Sequence, residues 1–84
     1  MDYNVIKYIS MIENEYYRAN KIFPFFNSSH EGYGVIAEEF KELEKAIFKN
    51  YNNDRLIEEA VQLGAMALKF LVSCCNNNKK EKGD

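Results

Sequence analysis

The chain has 84 residues, a formal charge of −2, 46% hydrophobic and 14% aromatic residues, and only two cysteines. That length makes one domain with a modest core, while the apolar content excludes a wholly disordered chain. The acidic balance excludes duplex nucleic-acid binding through a phosphate-neutralising basic field.

The first helix is expected from about Asp2 to Ala19, because Val5, Ile9, Ile12 and Tyr16 recur at helical spacing, widened by Ile6 and Tyr8. The next segment, Asn20-Lys21-Ile22-Phe23-Pro24-Phe25-Phe26-Asn27, is rich in aromatics. Pro24 stops a continuous helix and biases Phe23 toward an extended conformation. Two readings of these aromatics and of Tyr16 and Tyr17 stand side by side: faces that stack on a base, or packing within the core and between subunits.

Ser28 with Glu31 three residues later predicts a capping box and a second helix running to about Asn50. Gly32 and Gly34 in its first turns cost about 1 kcal/mol each in helix propensity, which suggests a close approach to that backbone. Gly32-x-Gly34 is not a phosphate loop, since no lysine follows at the right spacing and no strand precedes it. His30 reads either as a ligand contact beside the positive helix end or as an exposed first-turn residue. The apolar stripe of this helix is Ile36, Phe40, Leu43 and Ile47.

Asn52-Asn53-Asp54 is a turn and N-cap signal, and the third helix is expected from about Arg55 to Cys75 with a stripe of Ala60, Gly64, Ala67 and Leu71. Its small residues permit a close helix crossing. Cys74 and Cys75 are adjacent, lack metal-ligand spacing and read as reduced thiols. The polar tail 76–84 is expected to be disordered; its three Lys against two acids leave −3 on residues 1–75. The architecture is therefore all-α, one three-helix domain over 1–75. Its apolar surface exceeds what one small body hides, which predicts a homo-oligomer of two or more copies. No apolar run approaches the length of about 18 residues that spans a membrane, and no leader pattern is visible. A cytoplasmic protein with no membrane partner is expected.

The acids carry a pattern. Glu38-Glu39-Phe40-Lys41-Glu42 is echoed twenty residues later by Glu58-Glu59-Ala60-Val61-Gln62. At about 100° per residue, Glu39 and Glu59 fall on the same shoulder of their stripes, with Glu42 and Gln62 one turn further on. Stripe-to-stripe packing predicts that these four converge on one edge, a set of hard oxygen donors suited to Mg²⁺. The alternative is a solvated face, since Lys41, Lys45 and Lys49 are interspersed among the acids.

Glu38-Glu39-x-x-Glu42 followed by Glu59-x-x-Gln62 resembles the paired signature of the MazG-like all-α nucleotide pyrophosphohydrolases, which usually ends in Asp. The wider phrase from His30 to Glu42 and from Glu58 to Leu68 is similar to small bacteriophage members, so the resemblance covers roughly residues 28–72. It implies hydrolysis of nucleoside triphosphates to monophosphate and pyrophosphate on Mg²⁺, with Glu39, Glu42 and Glu59 as ligands and Gln62 in the place of the Asp. Gln62 removes one anionic ligand, and the cations available for a triphosphate are few: Lys7, Arg18, Lys21, Arg55 and Lys69. Phosphoryl transfer depends on positioning and charge stabilisation, so the resemblance is read here as a nucleotide binder. It would sequester a nucleotide or nucleotide-derived signal with little or no hydrolysis, as an anti-defence protein in the bacterial host cell if phage-encoded. The expected ligand contacts are His30, Tyr33, Lys7, Arg18, Lys21 and Phe25. The alternatives are a Mg²⁺-dependent nucleoside triphosphate pyrophosphohydrolase and a helical oligomerisation protein without ligand. No Ser–His–Asp or Cys–His arrangement supports covalent catalysis.

Overall fold

The computed structural model describes residues 2–75, which form three helices and no strand: α1 (Tyr3–Asn20), α2 (Ser29–Phe48) and α3 (Asn53–Cys74). The expected disordered tail, 76–84, lies outside the described residues.

Each helix starts on a side-chain cap. The Asp2 carboxylate accepts from the Asn4 amide at 2.8 Å, Ser28 Oγ from the Glu31 amide at 3.1 Å, and Asn52 Oδ1 from the Arg55 amide at 3.0 Å. Such caps are worth about 1 kcal/mol each. The box at α2 is displaced by one residue, because Glu31 accepts from the Asn27 amide, at 2.5 Å, rather than from that of Ser28. α3 begins two residues before Arg55 because Asn52 is the capping residue.

α2 ends at Phe48 rather than near Asn50. Asn50 is itself the terminator: its φ of 58° is left-handed, and asparagine tolerates that conformation better than other side-chain-bearing residues. The Asn50 amide then donates to the Ile47 carbonyl at 3.3 Å and the Tyr51 amide to that of Ala46 at 3.0 Å. This bond pair satisfies carbonyls that the helix end would otherwise orphan.

α3 is the central helix, with α1 and α2 each packed against it. Ile12 covers Gly64 and Phe23 meets Lys69, so α1 runs in the same direction as α3. α2 returns antiparallel, with Gly32 beneath Phe70. The close approach expected at the glycine pair occurs at Gly32, where a Cβ would lie 2.7 Å from Phe70 Cδ2 and 2.9 Å from Phe26 Cδ2; Gly34 faces open space.

Both acid-bearing helices are rotated from their expected stripes. Gly32 and Ala46 are buried on α2 while Phe40 and Ile47 are exposed; on α3, Glu59, Ala65, Met66 and Lys69 are buried while Ala60, Ala67 and Leu71 are exposed. The cause is the sandwiching of α3 between two helices, which centres its buried sector on long side chains whose apolar stems can pack. The core is small. Phe26, Ala65 and Met66 form its centre, with Ile12, Tyr16, Ala19, Ile36 and Phe70 packed around them. Only the second half of the α1 stripe reaches this core; Val5, Ile6 and Ile9 remain exposed.

Candidate functional site: a polarised cleft between α1 and α2

A cleft opens between α1 and α2 above α3, and segment 21–28 closes one end. Two bonds hold that segment to one face of α3. The Lys69 ammonium donates to the Phe23 carbonyl, and the Phe26 amide donates to Ser73 Oγ at 3.2 Å. Residues four apart lie above one another on a helix, so these ties pin the aromatic connection along a single ridge. Lys69 also sits 4.7 Å over the centre of the Phe26 ring, a favourable placement for a cation on an aromatic face.

The cleft has a volume of about 490 Å³, within the range of about 300–1,000 Å³ typical of small-molecule sites. Gln62, Met66 and Lys69 form its floor, Glu15 and Arg18 one wall, Val35 and Glu39 the other, and Phe23, Phe25 and Phe26 its closed end. Its lining includes no hydroxyl, thiol or imidazole side chain.

Its charges differ from end to end. Arg18 grips Glu15 through two bonds, Nε to Oε1 at 2.9 Å and Nη2 to Oε2 at 2.6 Å, and this pairing holds the Glu15 carboxyl below its ordinary value. Burial pushes the Lys69 ammonium below the usual lysine range, with Glu31 partly opposing. Glu39 is pushed the other way. Burial is the largest cause, and the neighbouring charges of Glu59, Glu42, Glu15 and Glu38 add to it. Its Oε1 is shielded from solvent and has no hydrogen-bond partner.

The expected site residues divide. Glu39, Gln62, Arg18 and Phe25 meet at the cleft. Glu59 is buried, with 6% of its surface exposed, and bonds Arg55 Nη2 at 2.9 Å. Glu42 is exposed. The four positions differ in exposure, and the charges of Glu59 and Glu42 both act on Glu39. Among the described residues no group of three or more His, Cys, Asp or Glu is disposed to hold a metal ion. Lys7 stacks 5.3 Å from the Tyr8 ring centre; Lys21, His30 and Tyr33 are exposed and do not line the cleft.

Sequence reasoning noted Lys69 as a cation and missed that Lys69 and Ser73 each tie the aromatic connection to α3. A Lys-x-x-x-Ser spacing inside the otherwise apolar second half of that helix was the available signal. The Glu15–Arg18 pair was equally readable from its i, i+3 spacing.

Compared with models of protein families, with curated proteins and with solved structures, the chain matches none.

Proposed function

We propose that this chain is a small MazG-like nucleotide-binding protein that holds or sequesters a nucleotide, or a molecule derived from one, with little or no hydrolysis. One observation carries the reading: the cleft is polarised along α3. Gln62 and Glu39 supply polar groups at one end; at the other the Lys69 ammonium stands with the Glu31 carboxylate, flanked by phenylalanine rings. Gln62 and Lys69 are seven residues apart, about 10 Å along a helix axis. That separation suits a base at the Glu39 end and a phosphate at the Lys69 end. Binding through a few placed polar groups and apolar contact with Val35 and Met66 requires no nucleophile.

The test is titration calorimetry of the protein with nucleoside mono- and triphosphates, with and without Mg²⁺, followed by chromatography of the mixture. Micromolar binding with the nucleotide recovered intact supports the reading. Release of pyrophosphate by the unmutated protein makes it a hydrolase instead, and absence of binding leaves a helical assembly protein.

The chain is further proposed to self-associate. Tyr8, Ile12, Leu56, Ile57, Ala60 and Val61 line a second, almost wholly apolar groove, flanked on α1 by exposed Val5 and Ile9. A ridge beside a groove is self-complementary across a two-fold axis, so a second copy is the proposed occupant.

A further inference from the structure

Resting on that nucleotide reading, we infer that the Glu39–Gln62 end of the cleft selects bases that present adjacent N–H donors, guanine above all. An ionised carboxylate only accepts hydrogen bonds and offers two oxygens. Glu39 Oε1 has no donor, and the charges acting on this carboxyl come from Glu59, Glu42, Glu15 and Glu38, all acids. No basic group is among the charges that act on Glu39, and Arg18 and Arg55 are paired with Glu15 and Glu59. A ligand that brings a donor satisfies this oxygen.

The last torsion of a glutamate is broad and roughly two-fold, so a small rotation turns either oxygen toward the cleft that Glu39 lines. Guanine presents N1–H and an exocyclic N2–H side by side, matching the two oxygens of a carboxylate. Hypoxanthine keeps N1–H and lacks the amino group. Adenine places its amino group beside an acceptor nitrogen, and uracil flanks its N–H with two carbonyls that repel a carboxylate. Gln62 carries both a donor and an acceptor and can serve a neighbouring position on the same edge.

The deciding measurement is titration calorimetry of the full chain with guanosine, inosine, adenosine and uridine 5′-monophosphates at pH 8, for the parent and for Glu39→Gln. The guanosine-to-inosine ratio is the readout, because both ligands carry the same phosphate and its titration cancels. At pH 8 guanosine monophosphate is expected to bind about tenfold or more tightly than inosine monophosphate, the scale of one hydrogen bond to a charged group. Glu39→Gln abolishes the preference. Equal affinities for the two, or a preference that survives in Glu39→Gln, overturn the base selection while leaving nucleotide binding intact. No binding of any of the four overturns both readings. Should Glu39→Gln fail to fold, the parent's guanosine-to-inosine ratio decides the matter.

Discussion

Lys69 of α3 donates a hydrogen bond to the main-chain oxygen of Phe23, 46 residues earlier in the chain. Only 4% of this lysine is exposed, yet its charged end is turned to the backbone of a connecting segment rather than to a carboxylate. The bond does two things at once. It pins the Phe23–Phe26 turn to the central helix, and it holds a cation at the closed end of the cleft.

Lys69→Met is expected to separate these roles. Methionine keeps an unbranched apolar stem and removes the ammonium, so stability should stay within about 1 kcal/mol of the parent because a buried cation carries its own desolvation cost. Nucleotide affinity should fall about tenfold through loss of a charge-assisted contact. Thermal melts and calorimetry on the same preparation check both halves; unchanged affinity would remove Lys69 from the binding site.

Glu39→Gln is expected to raise the melting temperature at pH 7. The folded-state pKa of Glu39 lies above its ordinary value, so between the two the folded state holds more proton than the unfolded state and stability falls as pH rises. The contribution is fully present below the unfolded pKa and is lost as pH climbs through the raised folded value. The parent and the variant should therefore melt furthest apart above that value and converge toward pH 4. A constant offset across the range would mean that Glu39 is not the titrating group.

The two glycines of the first turns of α2 should answer oppositely to alanine. Gly34→Ala meets nothing within 4 Å and should gain up to about 1 kcal/mol from helix propensity. Gly32→Ala drives a methyl group to 2.7 Å from Phe70 and 2.9 Å from Phe26, both part of the core, and should lose about 1–3 kcal/mol from overpacking. Urea midpoints with unchanged slope would read the pair directly.

Self-association should depend on the first turns of α1. Ile9 is 53% exposed beside the apolar groove, and Ile9→Lys places a charge where a second copy is proposed to dock. Sedimentation at micromolar concentration should show an oligomer for the parent and a 9.8 kDa species for the variant. A parent that sediments as that single species would refute the interface.

Local signals were legible in the sequence wherever one residue decides the outcome. Ser28 caps the helix it was expected to start, the cap of α3 falls within the expected Asn52–Asp54 signal, and Pro24 falls in the connection. The facing of α2 and α3 was not legible. Periodicity locates a stripe by apolar residues, and Phe40 and Leu71 looked inward by that measure while Glu59 and Lys69 did not. Their burial depends on Arg55 neutralising Glu59 within one helix and on the Phe23 carbonyl receiving Lys69 from a distant segment. Such compensation is invisible until partners are in place. The same rotation explains why Glu39 and Gln62 reach the cleft together while Glu42 does not.

α1 and α2 reach α3 across different stretches of chain. α2 and α3 are joined by the short turn 49–52, so their hairpin is a local contact, whereas α1 must close a longer loop to reach α3. With α1 undocked, the cleft would lack its α1 wall. A ligand that bridges Arg18 or Glu15 on α1 to Glu39 on α2 therefore binds only the docked form and draws the docking equilibrium with it. Hydrogen exchange in α1, more than global melting, is where occupancy of the cleft would register.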